Sequence, residues 1–208
     1  MGNTAGNVST GKPKVSGAIH VAPTSATAPT SAETELDGTF KCLGYISDDG
    51  IENNNEKTIA DIKAWGGNIV YRSLTEQKDN FKMTFIESEN PDVLKTVYGD
   101  ENVTVDADTG AIVVDVVSED PQEKMYVIDM ALRGGRKKRI VIPDGAITAM
   151  DAIKYNDSDP IGYGVTISAY PDGNGKSHKE YISGPSGETG ETEETGETET
   201  GETETGEA

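Results

Sequence analysis

Large apolar side chains are scarce in this chain. Its 208 residues include three phenylalanines and one tryptophan, and hydrophobic residues make up 34%, below the usual share for a compact soluble domain. No apolar run approaches the roughly 20 residues that a membrane-crossing helix needs, so no such helix is expected. The start lacks a positively charged segment followed by an apolar run, and no secretory leader is expected either. Cys42 is the only cysteine; it excludes an internal disulfide, and without neighbouring ligands it makes no zinc site. That usage suits a reducing cytosol. Basic residues are outnumbered, with 18 Lys and Arg against 37 Asp and Glu for a formal charge of −19. So acidic a chain is poorly suited to bind nucleic acid by neutralising phosphates.

Two stretches account for much of the apolar deficit. The first is "GETGETEETGETETGETETGEA", residues 187–208, a Gly-Glu-Thr repeat whose like charges repel and which has nothing to bury. Its ordering entropy is not offset, so residues 184–208 are expected to be a disordered acidic tail. Without its nine glutamates the formal charge falls from −19 to −10, so the remaining body is still acidic. The second stretch, residues 1–37, is rich in Gly, Ser, Thr, Ala and Pro and reads as an N-terminal arm. Within it "SGAIHVAP", about 16–23, can form one short strand stopped by Pro23, and "TSATAPTSAETELD" follows as a linker.

Between these, residues 38–183 mostly alternate with period two. "FKMTFIE" places Phe81, Met83 and Phe85 on one face. "KMYVIDMAL" sets Tyr126, Ile128, Met130 and Leu132 opposite Val127, Asp129 and Ala131, and "GYGVTISAY" aligns Tyr163, Val165, Ile167 and Ala169. "AIVVDVV" and "RIVIP" are β-branched runs closed by turn residues. Turn signals recur between them, "SDDG", "QKDN", "DADTG", "EDPQ", "LRGG", "PDG", "NDSDP" and "PDGNG", and roughly ten strands fit. One helix is well signalled, in "ENPDVLKTVYG". Asn90 is its N-cap, Pro91 its first residue, Asp92 lies near the positive end of the dipole, and Gly99 is placed to end it in a left-handed conformation. Val93, Leu94, Val97 and Tyr98 share one stripe, so the helix should lie flat against a sheet. The class is mainly β with one short helix.

Chemistry is harder to find. "GNVSTGK" has phosphate-loop spacing, but Pro13 replaces the required hydroxyl residue and no strand precedes it. "DADTG" begins like a calcium loop, yet its glycine falls early and Val117 stands where a bidentate glutamate is needed, so a tight turn explains it better. The two histidines, His20 and His178, have no nucleophile or ligand motif around them. No catalytic, cofactor or metal site is assigned. "LRGGRKKRIVIP" gathers Arg133, Arg136, Lys137, Lys138 and Arg139 against the acidic trend. Five positive charges are few for a polyanion site, and a charged hairpin or a contact with an acidic neighbouring copy is the simpler reading.

"LGYISDDGI", "DIKAWGGNIV", "FKMTFIESENPDVLKTVYG" and "GYGVTISAYPD" occur in that order, with "GAIHVAP" before and "KEYIS" after. Together they resemble the major tail protein, or tail tube protein, of long-tailed bacteriophages of Gram-positive bacteria, over roughly residues 16–183. The resemblance implies a tail-tube-type β-sandwich or barrel with a flanking helix. It also implies hexameric rings stacked into the conduit for the genome, with the tape measure, tail terminator and distal tail proteins as further partners. DNA would pass without specific binding, and no membrane is involved. The protein would sit in the virion tail, having passed through the host cytoplasm during assembly. Short alternating strands suit that role, because ring closure removes exposed edges. Stabilising contact formed only on assembly would also account for the low apolar content.

The resemblance further suggests that the polar loop at 47–58, with Asp48, Asp49 and Glu52, and the N-terminal arm bridge adjacent rings. Arg136, Lys137, Lys138 and Arg139 are expected to touch a neighbouring subunit away from the bore. Trp65 is expected to pack at a strand end, with Gly66 and Gly67 permitting a kink or close backbone approach. The alternative function is a surface-exposed adhesion or carbohydrate-binding β-module with an acidic spacer. An enzyme ranks behind both, because no nucleophile–base or metal motif is present.

Overall fold

The computed structural model describes residues 2–15 and 17–184, and the repeat tail expected to be disordered lies outside them. Eleven strands and one α-helix follow in chain order: β1 (Lys12–Pro13), β2 (Ile19–Pro23), β3 (Lys41–Cys42), β4 (Glu52–Lys63), β5 (Ile69–Phe85), α1 (Pro91–Tyr98), β6 (Val103–Val105), β7 (Ile112–Val114), β8 (Lys124–Ala131), β9 (Lys137–Met150), β10 (Tyr163–Ala169) and β11 (Lys179–Ile182). Nine strands form one antiparallel sheet whose main path runs β3-β2-β8-β9-β10-β5-β4, and β6 with β7 makes a separate hairpin. The fold is the mainly β arrangement with a flanking helix that the alternation predicts.

Both halves of the sheet feed one core. Ile19, Tyr126, Ile128, Ile140 and Ile142 come from the β2-β8-β9 half, and Phe81, Met83, Phe85, Val165 and Ile167 from the β5-β10 half. Helix α1 closes this core with Val93 and Leu94, and Tyr98 meets Tyr163 edge-on at 5.9 Å. Asn90 caps α1 by accepting from the Asp92 amide at 2.9 Å. Gly99 ends it at φ 101 and ψ 146, a positive-φ but extended geometry rather than the left-handed helical one expected. "DADTG" is indeed a turn, in which Asp106 accepts from the Asp108 and Thr109 amides.

The opposite face of β8 and β9 is covered as well. Val127 and Val141 pack with Phe40, and with Leu36 and Ala28 from the stretch read as a linker. Arg139, only 2% exposed, clamps that stretch by donating to the carbonyls of Ser31 at 3.1 Å and Thr34 at 2.5 Å.

Three turn and loop expectations are corrected. "QKDN" lies inside β5, where Gln77 to Asn80 each pair with a residue of β4. "PDG" lies inside β9, where Pro143 and Asp144 oppose Met125 alone and form a bulge. A bulge tolerates a missing proline N–H and bends the strand, and β9 there exchanges β11 for β10 on one edge. The polar loop at 47–58 is a loop only at its start, where the Gly50 amide donates to the Ser47 carbonyl. From Glu52 onward it is strand, because twelve residues pair with β5 and an exposed strand needs no apolar alternation.

Candidate functional site

Hairpin β4–β5 is the most prominent surface feature. Beyond the Asn55–Asp79 pair its two strands bond only to each other among the described residues, out to Lys63–Ile69. At the usual rise of ~3.3 Å per residue the arm is about 30 Å long. It is studded with apolar side chains that join neither core of the subunit. Ile59, Ile62, Val70, Tyr71 and Leu74 are all more than half exposed, at 59%, 54%, 63%, 60% and 54%. Facing partners share a side of a sheet. Ile59 opposes Leu74 and Ile62 opposes Tyr71.

Trp65 sits at the tip and is fully exposed, which corrects the expectation that it packs. The tip lies too far from either core for the indole to reach one. Gly66 and Gly67 form the turn at φ 108 and 91 and leave open space around them rather than a close approach. Sequence reasoning missed Ile59, Ile62, Tyr71 and Leu74 as a set. The available signal was a Gly-Gly turn flanked by two β-branched runs, a hairpin pattern.

The arm is anchored at its root. The Asp79 side chain is 1% exposed, with His178 Nδ1 2.5 Å from its Oδ2. Asn53 Nδ2 donates to its Oδ1 at 2.8 Å, and Ser177 Oγ hydrogen-bonds its Oδ2. Burial pushes this carboxyl up, but the hydrogen bonds from Ser177, Asn53 and His178 outweigh it and hold the pKa below the ordinary value. Phe81 packs edge-on against the His178 ring at 5.2 Å. Asp48 and Asp49 are exposed in the turn before β4, and Glu52 opens that strand opposite Lys82.

The basic cluster is less available than its sequence suggests. Arg139 is withdrawn from any contact with a neighbour by its buried pairing with Asp129, at 2.6 and 2.8 Å. Lys138 pairs with Glu180 at 2.8 Å, and Arg136 donates to the Gly6 carbonyl at 3.3 Å. Lys137 is exposed.

A third surface is the face of β4, β5 and β10 turned away from the core. It presents Glu52, Asn54, Glu56 and Thr58 on β4, Glu76, Lys78, Asn80, Lys82 and Thr84 on β5, and Thr166 and Ser168 on β10, which the register places side by side. Beyond the β9 bulge, Thr148 and Asp151 extend it.

No curated protein matches the chain significantly. The family model for the phage tail tube protein matches residues 8–191, a span that takes in the sheet, the arm and helix α1. The chain therefore belongs to the phage tail tube protein family and is a structural subunit of a virion tail.

Proposed function

We propose that copies of this chain close into hexameric rings, that the rings stack, and that the resulting tube is the passive conduit for the genome. The observation that carries this reading is hairpin β4–β5, with its exposed apolar residues and edges unpaired among the described residues. A long exposed edge strand is an aggregation hazard unless a partner completes it. A neighbouring copy completes it in a closed ring, where main-chain bonds supply contact and side chains fix register.

The dimensions agree with a conduit. The contiguous strands β9-β10-β5-β4 from six copies make about 24 strands. At a spacing of ~4.8 Å and a tilt near 40° they close at roughly 45–50 Å across. That leaves a bore for double-stranded DNA once side chains are subtracted. The core and α1 then lie outside the barrel, and the bare polar face lines the bore.

Electron microscopy of purified protein at rising concentration tests this, comparing the full chain with one whose residues 59–75 are replaced by a two-residue turn. The full chain should form hollow tubes. The shortened chain should remain monomeric with an unchanged unfolding midpoint, because no residue from 59 to 75 belongs to either core. Tubes from the shortened chain would remove the hairpin from the assembly.

A further inference from the structure

On the bore-facing sheet every lysine is matched. Lys82 Nζ lies 3.0 Å from Asp151 Oδ2 and 3.4 Å from its Oδ1, and Glu52 stands directly opposite it on β4. Lys78 Nζ lies 3.0 Å from Glu76 Oε1, with Glu56 opposite. A hydrogen bond from Lys78 to Glu76, reinforced by that carboxylate's charge, holds the ammonium above its ordinary pKa. Four carboxylates thus meet two ammonium groups on this face.

The Lys82–Asp151 pair crosses an entire strand. Asp151 follows β9, Lys82 lies on β5, and β10 runs between them. The crossing is possible because residue 164 is glycine. A Cβ there would come within 2.8 Å of Asp151 Oδ2 and 2.9 Å of its Cβ, so any side chain would lift the aspartate away. The Asp151 amide donates to the Gly164 carbonyl at 2.8 Å, fixing the start of that reach.

Two hydroxyl groups on this face, of Ser168 and Thr148, are matched too. Ser168 Oγ donates to Asn80 Oδ1 at 2.8 Å, and Thr148 Oγ1 lies 2.7 Å from Ser168 Oγ. Since the serine proton is committed to Asn80, Thr148 is the donor to Ser168. This relay spans β9, β10 and β5 and directs their donors along the sheet instead of into the bore.

A phosphate backbone is held by cations and free donors. Resting on the tube assembly above, we infer that Asp151 and Glu76 are quenching residues. They neutralise Lys82 and Lys78 so that double-stranded DNA slides along this face without being held. The lysines have a structural use of their own, because opposite-charge pairs across strands add to the register. The surplus carboxylates then repel phosphate over the short distance that salt permits.

The test is co-sedimentation of a short DNA duplex with preassembled tubes at low and high salt. Wild-type tubes should leave the duplex in the supernatant. Tubes of Asp151→Asn with Glu76→Gln should pellet it, and the bound DNA should fall with salt at a slope of about −0.9 per lysine–phosphate contact. Adding Lys82→Gln and Lys78→Gln should restore release. Asp108→Asn, which removes one carboxylate from the exposed turn between β6 and β7, should behave as wild type. The inference is overturned if the double variant forms tubes that bind no more DNA than wild type, or if Asp108→Asn binds equally well. Microscopy before DNA is added separates this from failure of the tube reading itself: a wild-type chain that makes no tubes overturns both.

Discussion

At the scale of single residues, the most consequential pair is Asp129 and Arg139. Both are nearly fully buried, at 4% and 2% exposed, and two hydrogen bonds join them side-on. Lys14 is a second cation beside Asp129, at 3.4 Å. Desolvating two charges consumes most of what their attraction returns, yet removing one partner strands the other. Asp129→Ala is therefore expected to cost about 3–5 kcal/mol in urea unfolding, while Asp129→Leu combined with Arg139→Met should cost clearly less. Equal losses for the single and double variants would mean that the charges themselves are not the issue. The pairing also marks how far the sequence could be read. Phe81, Val165 and Ile167 are legible as core because their period is local. Arg139 ends a run of cations in the sequence, and its partner lies ten residues away. The clue was Asp129 itself, one carboxylate inside the otherwise apolar strand "KMYVIDMAL", which demands a buried counter-charge.

At the scale of elements, the arm depends on its root. Asp79 holds Asn53 on β4 and also His178 and Ser177, which precede β11. Its folded pKa lies below its ordinary one, so the unfolded chain binds the proton more readily. The resulting stability is present above the ordinary carboxylate range and is lost as pH falls through the folded value. Asp79→Asn should cost about 1–3 kcal/mol near neutral pH, through partners left unsatisfied. That difference should shrink as both proteins are taken into acid below the carboxylate range. Denaturant unfolding at several pH values measures it, and a gap that stays constant into acid would assign the loss to packing alone. Helix α1 was legible except for the backbone geometry at Gly99, because its cap, proline and stripe lie within ten consecutive residues. The root half of the arm was not legible, because β4 there carries Asn and Glu residues of poor strand propensity and becomes a strand only through partners up to thirty residues away. The "PDG" bulge was misread for a related reason: turn chemistry and bulge chemistry use the same residues.

At the scale of the whole molecule, charge opposes assembly. Each copy carries −19, and ring closure with stacking brings many copies together. The repeat at 187–208 holds nine of those charges, and it lies outside the residues proposed above to build the tube. A chain ending at Pro185 keeps every contact proposed for the tube and carries −10. Self-repulsion between acidic copies is screened with a Debye length of about 8 Å at physiological ionic strength and reaches roughly 30 Å at 0.01 M. The shortened chain should therefore polymerise at a lower concentration than the full chain in low salt, and the two thresholds should converge as salt is raised. Light scattering against concentration at several ionic strengths reads both thresholds. A shortened chain that fails to polymerise at any salt would make the repeat a working part of the assembly, because loss of repulsion alone can only favour it.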